Sequence, residues 1–399
     1  MMSNQLAGLV VVGAFLAPAC FHPNYDHPRC GPSGECPSGL TCNAQLICEG
    51  GLDSAPNDSA VDSIDAPSGI CIGRFVLVCR PVAPPKGENV VLLTPATINT
   101  DLDARCAMQS QGTGAPQLCV MAGYDIKVDA VITVVGSHPL VLAAFHDLNI
   151  TFKGNLALTS PRGQMPGAGA NDPACHAPTN GGNGATGAGG GAGGSFGGTG
   201  GAGGTGETGN TTVGVTGAPI TPFVRMTGGC KGSNGGNAGL AVGGQPGNGG
   251  GAVMLIAANK LTLAGTVTAG GGGGEPPPLL AGGGGGGSGG FVGLDGVIYY
   301  VTGQATANGG AGASGSGSSL LGSPGEDGIA STTVAASGGV PPLGGGAGGD
   351  GSIAALQNSS PGQPGVNGGG GGGGGAGVIL LKGTAPAGGT YSPPPTIVP

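Results

Sequence analysis

Three stretches of this chain repeat one pattern. They are LVLAAFHDLNITFKGNLALTS (140–160), AVMLIAANKLTLAGTVTAGG (252–271) and FVGLDGVIYYVTGQATANGG (291–310). Each holds an apolar run with two-residue alternation, then a glycine, then a second short alternating run, the signature of two strands joined at a sharp corner. Aligned on Gly154, Gly265 and Gly303, they bring Ile150, Leu261 and Tyr299 into one position and Phe152, Leu263 and Val301 into another. Beyond the glycine, Leu156, Val267 and Ala305 coincide, followed by Leu158, Ala269 and Ala307. A unit this small cannot bury its apolar face alone, so repetition implies stacking. The expected fold class is all-β, with parallel β-helix or solenoid-like repeats and Ile150, Leu261 and Tyr299 in one inward column. A weaker relative, YDIKVDAVITVVGS (124–137), lies upstream, and GVILLK (377–382) is placed to close the stack.

Between the repeats lie glycine tracts at 181–206, 228–251, 270–290, 338–351 and 365–377. Two readings compete. Glycine loses the most conformational freedom on folding, which favours disordered inserts. Side-chain-free backbone can instead take the extended polyproline-II form and pack chain against chain. That form has no internal hydrogen bonds, so its N–H and C=O groups need partners on neighbouring chains. Composition favours partial order. Glycine and proline make up about a third of the 399 residues, the range where disorder is the default. Yet charged residues are only 8% and mean hydropathy is +0.19, unlike a solvated disordered chain. With tryptophan absent and only 13 Phe and Tyr together, low charge and moderate apolarity suggest tight backbone packing rather than a large side-chain core.

Residues 1–19 read as a signal peptide. The apolar run 6–16 is too short to span a bilayer and ends in Ala17-Pro18-Ala19, an A-x-A type cleavage site. The mature chain would then begin at Cys20, placed for lipidation. Of 11 cysteines, acylating Cys20 leaves ten, an even number that disulfides can use up. Cys30, Cys36, Cys42 and Cys48 mark a Cys-rich module at 20–49 that only crosslinks could hold. Sequence leaves its three possible connectivities open. Further along, proximity suggests the pairs Cys71–Cys79, Cys106–Cys119 and Cys175–Cys230. Residues 50–69, with Asp53, Asp58, Asp62 and Asp65 and no basic residue, form an acidic flexible linker. A β region with paired cysteines follows at 70–165, and glycine-rich solenoid repeats at 166–399.

Little in the chain suggests chemistry. A net charge of −8 with 12 Lys plus Arg excludes phosphate-backbone binding, so no nucleic-acid partner is expected. G-x-G-x-x-G patterns recur, but this glycine content generates them by chance, and none opens a helix after a strand. GGAGGDGSI (345–353) nearly fits a calcium-binding nonapeptide but stands alone. His22 and His27 lack further metal ligands. His146-Asp147 looks like an acid–base pair, yet it falls at a repeat turn whose aligned counterparts carry none. No catalytic residue, metal site or cofactor is expected, and the chain reads as no enzyme.

The order of leader, CGPSGECPSGLTC-type knot, acidic spacer, paired-cysteine β region and LVLAAFHDLNITFKG-type repeats resembles uncharacterised glycine-rich surface lipoproteins of myxobacterial type. In composition the tracts are also similar to PE-PGRS proteins. The resemblance implies an extracytoplasmic protein, lipid-anchored to the bacterial envelope at the outer membrane or surface, with no catalytic residues to transfer. The expected function is a non-enzymatic cell-surface lipoprotein presenting a glycine-rich β-solenoid for adhesion or envelope structure. Its expected partners are the membrane, through the anchor, and surface polysaccharide or other cells. The alternatives are a carbohydrate-active β-helix enzyme, needing clustered acidic and basic groups in one groove, and an ice- or surface-binding module, needing a flat face of Thr or Ala.

Overall fold

The computed structural model describes residues 40–42, 48–50, 69–209, 211–354, 357–383 and 388–398. The chain divides into two units, Met1–Ala66 and Pro67–Pro399. In the first, strands β1 (Leu40–Cys42) and β2 (Cys48–Gly50) pair antiparallel, with Cys42 opposite Cys48. The leader, Cys20, Cys30, Cys36 and the acidic stretch 51–68 lie outside the described residues, as do the side chains of Cys42 and Cys48.

The second unit is all-β, with no α-helix among the described residues. It opens with a hairpin, β3 (Ile70–Ile72) and β4 (Val78–Arg80), closed by the disulfide Cys71–Cys79. Next come β5 (Val90–Leu92), β6 (Ala96–Asn99), β7 (Ala107–Gln109), β8 (Leu118–Gly123), β9 (Ile126–Val128) and β10 (Val131–Val135). They are followed by β11 (Leu140–Ala144), β12 (Leu148–Ile150), β13 (Asn155–Ala157), β14 (Ala252–Leu263) and β15 (Thr266–Thr268). Last are β16 (Phe291–Val301), β17 (Gln304–Thr306), β18 (Val378–Lys382), β19 (Thr390–Ser392) and β20 (Thr396–Val398).

Strand order within the two main sheets follows chain order. In a six-stranded sheet, β6, β10, β13, β15, β17 and β19 lie side by side, all parallel. In a ten-stranded sheet, β8, β11, β14, β16, β18 and β20 are likewise parallel and in order, with antiparallel β7 at the edge. Short strands β5, β9 and β12 extend this sheet beside the second half of β14. Each tier thus crosses the ten-stranded sheet, turns a corner and adds one strand to the six-stranded sheet.

The main core lies between the sheets. Met121, Leu142, Leu255, Leu294 and Leu381 follow one another in register as a buried column on one side. Ile132, Leu156, Val267 and Ala305 form the facing column. A second apolar cluster covers the other face of the ten-stranded sheet, where Val141, Met254 and Leu380 meet Val76 and Val78 of the first hairpin, with Phe75 stacked on Phe291 at 5.7 Å. Strands buried on both faces need no polar alternation, which is why β11 and β18 read as continuous apolar runs.

Register corrects the expected column. Ile150 stacks on Leu263, not Leu261; the inward column is Leu148, Leu261 and Tyr299, followed by Ile150, Leu263 and Val301. Beyond the glycine the alignment holds, with Leu156, Val267 and Ala305 adjacent. The corner after β12 is longer than the one after β14 and closes as a turn, with the Gly154 N–H donating to Thr151 O at 2.8 Å. Phe152 sits on that turn, 77% exposed, rather than in the core. A gap-free alignment cannot see an insertion that falls in a corner.

The glycine tracts are built into the same body. Segment 282–290 leads directly into β16, as 243–251 leads into β14 and 368–377 into β18. Along the first of these, the N–H groups of Gly283, Gly286 and Gly289 donate to the carbonyls of Gly369, Gly372 and Gly375. Those of Gly284, Gly287 and Gly290 donate to Glu275, Gly272 and Ala269, and those of Gly282, Gly285 and Ser288 to Gly236, Ser233 and Cys230. Its carbonyls accept in turn from 191–194, 244–250 and 310–313. A partner that changes every residue and returns every third is the period of three residues per turn. Glycine is required by proximity: a Cβ at Gly374 would lie 1.9 Å from Gly287 O. The hydrogen in its place points at that oxygen, the arrangement of a weak Cα–H···O contact.

Candidate functional site

The corners between β8 and β9, between β11 and β12, and at the irregularity within β14 stack above one another, so their turn residues form a cleft of about 260 Å³. His146 Nδ1 lies 2.9 Å from Asp125 Oδ1 and 3.7 Å from Asp147 Oδ1, and its ring stacks on Tyr124 at 4.9 Å. Asp147 Oδ2 is 3.7 Å from Lys260 Nζ. Sequence pointed to His146-Asp147 alone; Asp125 and Lys260 join it because each occupies the same corner one tier away. Placing Tyr124-Asp125 over His146-Asp147 by strand register would have revealed the cluster.

The carboxylates of this cleft serve as structural acceptors. Asp125 N–H donates to Asn89 Oδ1 at 3.1 Å, and Asp147 N–H donates to Asp125 Oδ1 at 3.1 Å. Asp147 Oδ1 then accepts from Asn259 Nδ2 at 2.7 Å and from Lys260 N at 3.2 Å. Each acid or amide therefore holds the backbone of the next tier, an Asx ladder along the corner. The same use recurs at Asp350 of the nonapeptide-like stretch, whose Oδ1 accepts from Gly338 N at 2.8 Å. Among the described residues, no group of three or more His, Cys, Asp and Glu is placed to hold a metal ion.

Two connected hollows of about 400 and 440 Å³ lie on the glycine-rich part and share Asn180 and Asn234. Three extended segments build them side by side: 177–183, 231–237 and 242–248. Gly181 N donates to Asn234 O and Gly184 N to Asn237 O on one flank; Gly232 N donates to Gly247 O and Gly235 N to Gly244 O on the other. Every third residue on each segment turns outward, and the glycines between them are mostly buried. Outward positions are Asn180 and Asn183 on the first segment, Lys231, Asn234 and Asn237 on the second, and Val242, Gln245 and Asn248 on the third. Asn180 Oδ1 accepts from Asn234 N at 3.1 Å and Asn183 Oδ1 from Asn237 N at 2.8 Å, which fixes the row spacing. Two buried oxygens here accept no hydrogen bond, Asn234 Oδ1 and Asp172 Oδ2; the Asp172 side chain is only 2% exposed, and its other oxygen lies 3.9 Å from an Arg225 guanidinium nitrogen. Two-residue alternation carries no trace of this groove; the N-x-x-N spacings at 180–183 and 234–237, a period of three, were the available sequence signal.

Three disulfides tie these regions together. Cys71–Cys79 closes the first hairpin, Cys106–Cys119 joins the loop before β7 to β8, and Cys175–Cys230 spans 55 residues beside the amide groove. No helix among the described residues is long and apolar enough to cross a membrane. No protein-family model matches this chain, and neither does any characterised protein or solved structure to which it was compared.

Proposed function

We propose that this protein is a non-enzymatic surface lipoprotein: a parallel β-solenoid extended by a polyproline-II bundle, exported by residues 1–19, acylated at Cys20 and held off the envelope by the acidic spacer. Its role is adhesion or envelope structure. One observation carries the reading: the backbone groups of the glycine tracts and the carboxylates of the corner cleft are spent on holding one segment to the next. The tract N–H groups bond across segments, and the carboxylates of the corner cleft cap the next tier. Such a body is a rigid scaffold with little left for acid–base chemistry, which requires a carboxylate within reach of a substrate proton. The three disulfides suit an oxidising compartment.

The test is fractionation with mass spectrometry of the mature N-terminus. Wild-type protein is expected in the membrane fraction with an acylated Cys20, and Cys20→Ser in the soluble exported fraction with loss of cell–cell contact. Hydrolase or lyase activity on polysaccharide, abolished by Asp147→Asn alone, would replace this reading with the carbohydrate-active one.

A further inference from the structure

We infer that the amide groove binds a neutral polysaccharide, laid along segment 231–237 with its hydroxyls on Asn180, Asn183, Asn234, Asn237 and Gln245. The inference rests on the surface reading above and names its ligand class. Outward side chains recur every three residues, a repeat of about 9 Å for a rise of about 3.1 Å per residue. A surface with a constant repeat in one direction suits a ligand with a constant repeat, which a linear polysaccharide has.

The chemistry of the face narrows the ligand further. A carboxamide presents two donors and an acceptor, and a sugar hydroxyl both donates and accepts, so each can answer the other. Backbone groups cannot compete for it, because those of the flanking glycines are paired between segments. Asn234 and Asp172 line the groove, with Asn234 Oδ1 and Asp172 Oδ2 enclosed beneath its surface and without a hydrogen-bond donor. Buried acceptors without donors are rare in native structures and mark places where a donor is missing; rotation of the half-buried Asn234 carboxamide would turn its oxygen to a ligand O–H. Charge is sparse: Lys231 is exposed at one end, and Asp172, which accepts from Ala174 N at 2.7 Å, has an Arg225 guanidinium nitrogen 3.9 Å from its Oδ1, so little net charge is left to hold a polyanion. Pro173, Pro178 and Pro246 add rigid apolar contact for the faces of sugar rings. An ice lattice would need Thr or Ala in these positions, and they are amides.

The experiment measures retention of the purified full-length protein on insoluble cellulose, chitin, starch and β-1,3-glucan, with alginate gel as an acidic comparator. Retention on at least one neutral polymer is expected, unchanged between low and high salt. Gln245 is exposed and lines the groove. Gln245→Glu and the pair Asn234→Ala with Gln245→Ala are therefore expected to melt like the wild type and to bind at least tenfold more weakly. Retention on none of the neutral polymers, equal retention by both variants, or retention on alginate alone that salt releases would each overturn the inference. Because the assay needs no anchor, a chain that binds glycan but carries an unmodified Cys20 would leave the groove standing and remove the lipoprotein reading.

Discussion

At the scale of residues, two tyrosines show how the same side chain is kept or tolerated. Tyr299 Oη accepts from Gly296 N at 3.0 Å and has the carbonyls of Lys382 and Leu294 at 2.5 and 3.0 Å for its proton. Tyr391 Oη is buried with no partner. Burial pushes both phenols up, Tyr391 to about 12, with the neighbouring Tyr299 adding to it. A raised phenol pKa means that the folded chain holds the proton after the unfolded chain has lost it. The contribution is therefore fully present below about pH 10 and is lost as pH rises toward 12. Tyr391→Phe should leave stability unchanged or raise it by up to about 1 kcal/mol, since it removes an unpaired hydroxyl. Tyr299→Phe should cost about 1–3 kcal/mol by stranding buried backbone groups. Urea unfolding near neutral pH measures both changes, and tyrosinate absorbance during an alkaline titration checks the shift; an ordinary titration of Tyr391 would show that its ring is not enclosed.

Among the elements, the extended glycine segments are the most exacting. Gly374 sits where 287 and 374 approach so closely that a methyl group would overlie a carbonyl oxygen. Gly374→Ala is expected to cost about 3 kcal/mol, because the neighbours are themselves backbone and cannot turn aside. Thr199→Ala, on a segment at the edge of the same bundle, should change stability by less than about 0.5 kcal/mol. Equal melting temperatures for the two variants would mean that segment 368–377 is not packed as described. Strands were legible in the sequence where period-two burial or an unbroken apolar run left a trace, as in 140–144 and 252–263. The corner was only half legible. Gly265 marks it correctly, with its Cβ position 2.1 Å from Gly154 O, but the turn at Thr151–Gly154 displaced every residue upstream of it.

Taken as a whole, the second unit joins two kinds of order in one chain, since 290 leads into β16 without a break and 307 leaves β17 the same way. That continuity predicts one unfolding transition, with the β and polyproline-II signals of circular dichroism lost together. The Cys175–Cys230 bridge closes a 55-residue separation and crosslinks the segments that carry the groove. Replacing both cysteines by serine should lower stability by about 4 kcal/mol through the freed unfolded chain. Two separate melts, only one of them sensitive to that replacement, would show the bundle and the sheets to be independent. Sequence by itself determined the all-β class, the stacking of like units and the longer strands of the repeats, because alternation and apolar runs are local consequences of burial. Tertiary structure alone decided the register at the corners, the order of the glycine tracts and the amide groove. Residues 181, 234 and 244 have no local reason to take any one conformation; only the hydrogen bonds that each makes to a distant segment select it.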